Sequence, residues 1–168
     1  MCKQSCGFTG HRPAKLPWGE NESDGRALAL KLRLAAALES AYAEGMRHFI
    51  CGMAQGCDLY FCEAVLALRR IHPDVELEAA VPCPEQADGW APEQRRRYRS
   101  LLEACDCKTL IQPSYSPDCM KKRNRFIVDH SAMLLAVYDG VTPGGTLQTL
   151  SYALRAGHRV VQLDPSDS

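Results

Sequence analysis

The sequence predicts a single α/β domain over residues 1–168, with a mainly parallel sheet and helices on both faces. Two observations carry this. Short apolar runs alternate along the chain with segments of helical periodicity, the pattern of β–α units that can pair only as parallel strands. In addition, three apolar runs end in a glycine-bearing turn that opens a helical segment: Thr9-Gly10-His11-Arg12, Gly52-Met53-Ala54-Gln55-Gly56 and Gly144-Gly145-Thr146.

In order, Ser5 to Thr9 reads as the first strand and Lys15 to Asp24, with Pro17, Gly19 and Asn21, as a loop. Leu30, Leu34, Ala37, Leu38 and Ala41 then share one helical face in a segment that starts at Gly25, capped by Ser23 or Asp24 and closed by Gly45. A strand over Arg47 to Cys51 leads through the second glycine turn into a helix from Asp58 to Arg70, which stops before Pro73. The remainder repeats the alternation: strands over Glu76–Val81, Lys108–Gln112, Met133–Tyr138 and Arg159–Leu163, and helices over Glu93–Ala104, Cys119–His130 and Thr146–Ala156.

Composition narrows the class. With 46% hydrophobic residues the chain can bury a full core without disulfides or metals. Its 20 basic and 20 acidic residues lack the surplus expected of a protein that coats nucleic acid, although a local basic patch is compatible with them. The longest apolar stretch, Ala132 to Tyr138, falls far short of the roughly 18 residues of a membrane span. Met1 to Cys6 has no apolar signal-peptide core, so a cytoplasmic protein without membrane contact is expected. The nine cysteines form no Cys-x-x-Cys pair; Cys2-x3-Cys6, Cys57-x4-Cys62 and Cys105-x-Cys107 match no familiar zinc spacing, so reduced thiols and no metal are expected.

A strand that stops at glycine and hands over to a helix presents backbone N–H groups at the positive helix end, which suits an anion. Each turn alone could equally be ordinary strand punctuation. Parallel strands would nevertheless bring them to one edge, where ligands sit near the reversal of strand order. Around these turns, Asp58 reads as a helix N-cap, a ligand contact or both. His11 and Arg12 read as a phosphate clamp or a surface pair. The segment Lys121-Lys122-Arg123-Asn124-Arg125 places four basic residues before the most apolar strand, whereas Arg95-Arg96-Arg97-Tyr98-Arg99 reads as a solvated face. No nucleophile elbow, Walker lysine or complete Gly-x-Gly-x-x-Gly fingerprint is present, and Asp58, Glu63, Asp129 and Asp139 are the candidate acids.

Gly7-Phe8-Thr9-Gly10-His11-Arg12-Pro13, Gly52-Met53-Ala54-Gln55-Gly56-Cys57-Asp58, Arg123-Asn124 with Val128-Asp129-His130-Ser131, and Tyr138-Asp139-Gly140 before Gly144-Gly145-Thr146 together resemble the YpsA/YoqJ-like family of the SLOG superfamily. The resemblance implies a Rossmann-like fold and a nucleotide or nucleotide-derived ligand. It carries no established reaction or added cofactor, and it is compatible with homo-oligomers. The implied ligand set is Gly10, His11, Arg12, Gly52, Gln55, Gly56, Asp58, Arg123, Asn124, Asp129, Gly144, Gly145 and Thr146.

Two relatives sharpen this. In LOG-type phosphoribohydrolases, an arginine following Met-x-x and a glutamate three residues past the glycine-threonine motif serve glycosidic cleavage. Arg123 matches that arginine and is the candidate catalytic residue, but Asn124 replaces the following lysine and Thr149 stands at the glutamate's place. A threonine supplies no carboxylate for such a step. Gly52 to Asp58 is similar to the Gly-Leu-Ala-Arg-Gly-Ile-Asp turn of DprA, with Gln55 in place of its arginine, which weakens a single-stranded DNA role. The leading expectation is a nucleotide sensor or binding module. If the chain were an enzyme it would release base from a nucleoside monophosphate, with Asp129 or Glu63 replacing the lost acid. A DNA-binding alternative would use the 121–125 cluster.

Overall fold

The computed structural model describes residues 4–167; Cys2, and with it the Cys2–Cys6 spacing, lies outside that range. Six strands and five helices alternate: β1 Gln4–Gly10, α1 Gly25–Ala43, β2 Met46–Cys51, α2 Cys57–Ile71, β3 Glu76–Val81, α3 Pro92–Ala104, β4 Cys107–Leu110, α4 Cys119–Asp129, β5 Met133–Val137, α5 Gly145–Arg155 and β6 Arg159–Leu163. A short 3-10 turn at Pro13–Lys15 leads into the stretch expected to be a loop, sharing Lys15 with it. Asp24 caps α1 by accepting the Arg26 backbone N–H at 2.8 Å.

All strands pair in parallel in the order β4-β3-β2-β1-β5-β6. From β1 the chain steps one way to β4, then returns over the sheet to place β5 on the other side of β1. Right-handed crossovers in opposite directions put their helices on opposite faces. Accordingly α1, α2 and α3 pack together on one face while α4 and α5 pair on the other.

Two-sided burial explains the continuously apolar strands. Along β1 and β5, Cys6, Phe8, Met133, Leu135 and Val137 point into the larger core beneath α1–α3, where Phe8 stacks on Phe61 with centroids 4.5 Å apart. Ile50 and Leu134, in register with Gly7, point the other way, against Ile127, Val128 and Ala153. Eight described cysteines are free thiols, seven of them buried; burial pushes the Cys6 thiol up to about 12, so it behaves as a small hydrophobe. Among the described residues no helix is long and apolar enough to cross a membrane.

Candidate functional site

Parallel pairing sets the C-terminal ends of β1, β2 and β5 on one sheet edge, so the three glycine turns share it. The strand order reverses between β1 and β5, and the sheet opens a crevice there. Its volume is about 330 Å³. The walls come from Thr9, Gly10 and Arg12 after β1, Ala54 and Asp58 after β2, Arg123 and Asn124 on α4, and Gly145 and Thr146 at the start of α5. Helix α5 therefore points its positive end into this space.

Arg123 is the most constrained of these residues. It is 4% exposed; one guanidinium nitrogen donates to the Gly52 carbonyl and Nε donates to Asn124 Oδ1 at 2.7 Å. The guanidinium lies flat against the second turn, and a Cβ at Gly52 would fall 2.8 Å from Nη1, 2.9 Å from Cζ and 3.0 Å from Nε. Glycine is required there by close approach. Gln86 Nε2 also donates to the Gly52 carbonyl, at 3.0 Å. The next residue, Met53, has φ 62 and is the one non-glycine residue with positive φ among those described, a strained conformation of the kind that collects at binding turns. Burial pushes the Arg123 pKa down, opposed by the Asp58 charge, yet no carboxylate lies within ion-pairing distance of it among the described residues.

Asp58 is buried and does not cap its own helix, whose N-cap is Gly56. Its Oδ2 accepts the Ala54 N–H at 3.0 Å, which closes the second turn, and its carboxyl borders the crevice. Burial raises its pKa, and Arg123, the Ala54 N–H and Arg12 only partly offset this. Arg12 is exposed, and its guanidinium makes no ion pair or hydrogen bond among the described residues.

The remaining expected residues are divided. Gly52 underlies Arg123, Gly56 turns the chain beside His11, and Gly144 precedes α5 with φ 133, where a Cβ would collide with Lys15 Nζ. Gln55 faces a hollow adjoining the crevice. His11 is turned inward: it is 1% exposed, edge-on to Tyr138, and Nε2 lies 3.4 Å from Asp139 Oδ1 but too poorly aligned to hydrogen-bond, so both ring nitrogens are unpartnered. Asp139 itself organises the loop before α5 by accepting the Val141 and Thr142 N–H groups and the Thr142 hydroxyl; these bonds outweigh burial and hold its carboxyl well below the usual range.

Like Asp139, two further expected acids do not border the crevice. Asp129 ends α4, beside the start of β5 and so at the opposite sheet edge, where it accepts from the Tyr152 hydroxyl at 2.7 Å. An eleven-residue helix running antiparallel to the strands cannot put both ends at one edge. Glu63 pairs with Arg97, on the flank where α2 meets α3, and Arg97 also forms two bonds to Glu22. Thr149 is buried and donates to the Gly145 carbonyl at 2.8 Å, so its hydroxyl serves the helix backbone. Among the described residues Asp58 is the one carboxylate bordering the crevice.

The basic segment divides by helical rotation. Arg123 faces the crevice, Lys122 lies 3.6 Å from Asp118, and Lys121 and Arg125 line a neighbouring depression of about 360 Å³ between α4 and α5 with Tyr152 and Arg155, which meets the crevice at Asn124. That depression has no strand-end turn. Lys15, within the expected loop and outside the expected ligand set, also borders the crevice: its Nζ donates to the Pro143 carbonyl at 2.8 Å and thereby ties the turn after β1 to the turn before α5. The available signal was a lysine following the first glycine turn. Among the described residues no group of three or more His, Cys, Asp or Glu side chains could hold a metal.

A parallel sheet with a cation-lined crevice at its reversal of strand order defines a Rossmann-like α/β protein. The chain belongs to the YspA SLOG family, whose model matches residues 6–160. It is similar to the uncharacterized SPbeta prophage-derived protein YoqJ of Bacillus subtilis, at 33% identity over 153 residues, covering 82% of this chain and 89% of that protein. A UPF0398 protein of Bacillus thuringiensis is 29% identical over 151 residues, covering 89% of this chain and 82% of that one. Among solved structures, the DNA processing protein A of Helicobacter pylori, described with a single-stranded DNA binding mode, superposes with a TM-score of 0.63 at 13% identity. That match covers 95% of this chain and 65% of the Helicobacter chain, just under two thirds, and at this identity it establishes the fold alone.

Proposed function

We propose that the crevice binds a nucleotide or nucleotide-derived small molecule and that the protein acts as a binding or sensing module. The observation carrying this reading is Arg123, a buried guanidinium with no carboxylate of the described residues in ion-pairing distance. A buried charge is costly unless compensated. Arg12 and Lys15, also without ion pairs among the described residues, and the N-terminus of α5 border the same space. A phosphate supplies the missing negative charge and accepts several donors at once. In this reading Lys15, Gly145, Thr146 and the two arginines hold phosphate, and Asp58 accepts from ribose hydroxyls.

A second reading, hydrolysis of the N-glycosidic bond of a nucleoside monophosphate, draws on Asp58 alone. Its raised pKa beside a cation suits general acid–base work. Binding is preferred because Thr149 supplies no carboxylate and Asp129 and Glu63 stand elsewhere. A single-stranded nucleic acid reading would rest on Lys121, Arg125 and Arg155 outside the crevice.

One experiment separates the three: a thermal-shift panel of nucleotides with mass spectrometry of any co-purified ligand, run beside chromatography for free base. A melting shift that Arg123→Ala abolishes, without base release, is the expected result. Base release abolished by Asp58→Asn favours the enzyme. Salt-sensitive capture of single-stranded DNA with no small-molecule shift favours the nucleic-acid reading and overturns the proposal.

A further inference from the structure

The crevice does not end at Arg12. A hollow of about 50 Å³ lies beyond it, lined by Arg12, Ala54, Gln55, Gln86, Trp90 and Met120. Arg12, Ala54 and Met120 belong to both spaces. Gln55 and Trp90 continue outward into a wider open groove between the second turn and the start of α3. The hollow is thus a side chamber of the crevice.

Its walls differ from those of the crevice. Cations and a helix N-terminus dominate the inner end, whereas Trp90 and Met120 offer a flat indole and a polarizable thioether. Tyr98 meets Trp90 edge-on, with centroids 5.2 Å apart and planes at 79°, and the Trp90 backbone N–H donates to the Ala87 carbonyl at 3.1 Å. The Tyr98 ring packs the indole at a set angle where it borders the hollow. Two amides complete the lining. Gln86 is pinned at both ends, donating to the Gly52 carbonyl at 3.0 Å and accepting from the Tyr98 hydroxyl at 3.1 Å. The Gln55 amide has no hydrogen-bond partner among the described residues. An immobilised aromatic ring beside an unengaged donor–acceptor amide matches a flat heterocycle with polar edges.

We infer that this chamber together with the wider groove it opens into, walled by Trp90 and Met120 and edged by Gln55, receives the base of a nucleoside phosphate whose phosphate lies among Lys15, Thr146 and Arg123. The inference deepens the proposed function and rests on it. Connectivity supplies the order of groups. Lys15, Gly145 and Thr146 border only the inner crevice. Asp58 is bonded to Ala54, which stands on the shared wall. Gln55, Gln86 and Trp90 border only the outer chamber among these spaces near Arg12. Phosphate, ribose and base follow one another in the same sequence. This also assigns Gln55 a role: its unengaged amide reads an edge of the base.

The chain's two tryptophans make the test direct. Trp18 is buried with its N–H on the Tyr60 hydroxyl, so Trp18→Phe leaves Trp90 as the reporter. This variant is titrated with the four nucleoside monophosphates, ribose 5-phosphate and inorganic phosphate, with calorimetry on the unmodified protein alongside. At least one nucleotide is expected to quench Trp90 emission and to bind about tenfold tighter than ribose 5-phosphate. Trp90→Ala and Gln55→Ala, each checked for an unchanged fold by circular dichroism, are expected to reduce that advantage while ribose 5-phosphate binding stays the same; Trp90→Phe retains most of it. Nucleotides that bind no tighter than ribose 5-phosphate, or that lose no affinity in either alanine variant, overturn the base chamber and leave the phosphate crevice standing. Absence of binding by all six compounds overturns both.

Discussion

Replacing Gly52 by alanine tests the close approach on which the crevice is built. The new Cβ would lie 2.8–3.0 Å from three guanidinium atoms of Arg123. The guanidinium has little room to yield, because it is 4% exposed, bonded to the Gly52 carbonyl and held through Nε by Asn124 at 2.7 Å. Overpacking of this kind costs about 1–3 kcal/mol. For a domain of this size about 2–4 °C is lost per kcal/mol, so melting should fall by about 2–12 °C. Stability measured by urea unfolding of the wild type, Gly52→Ala, Arg123→Ala and the double variant isolates the contact. With the guanidinium gone, the added methyl group has space, and its cost should shrink to below about 0.5 kcal/mol, leaving a coupling of about 1–3 kcal/mol between the sites. Additive losses, or a Gly52→Ala variant as stable as wild type, would refute the claim that Arg123 dictates glycine at this position.

Three further outcomes are expected. Asp58 has a raised pKa, so the neutral form is favoured by the fold and ionisation opposes it. Asp58→Asn should therefore stabilise the ligand-free protein at neutral pH, with the gain disappearing as pH falls below the ordinary carboxylate pKa of 3.8; melting curves from pH 3 to 8 would show it, and a constant difference would contradict the assignment. Lys15→Ala should weaken binding of phosphorylated ligands by about 10-fold, the range of a charge-assisted hydrogen bond, while shifting the free protein's melting little, as calorimetry and thermal unfolding would report. Glu63→Gln, which disrupts a partly exposed ion pair, should change stability by less than about 1 kcal/mol and leave nucleotide affinity unaltered; a loss of affinity would place Glu63 in the site.

Much of the fold was legible in the sequence because its signals are local. The glycine turns that follow β1, β2 and β5, the 3.6-residue periodicity of α1 and the uninterrupted apolar run of β5 follow from backbone freedom and from burial on one or both faces. The common edge of the three turns followed as well, since strands joined by helices pair in parallel. Side-chain direction within the site was not local. Arg123 and Arg125 are two residues apart on one helix, yet rotation sends one into the crevice and the other into a different depression. Asp129 shares a motif with Arg123 but lies at the other end of α4, and Asp58, which reads as an N-cap, turns back to Ala54 instead. Lys15 joined the site only when β5 was placed beside β1, which brought Pro143 within reach of its ammonium group. Local propensity determined where each element begins and ends. The sheet order and the packing of α4 across it decided which polar groups meet, because those contacts join segments far apart along the chain, 71 residues for Arg123 and Gly52 and 128 for Lys15 and Pro143.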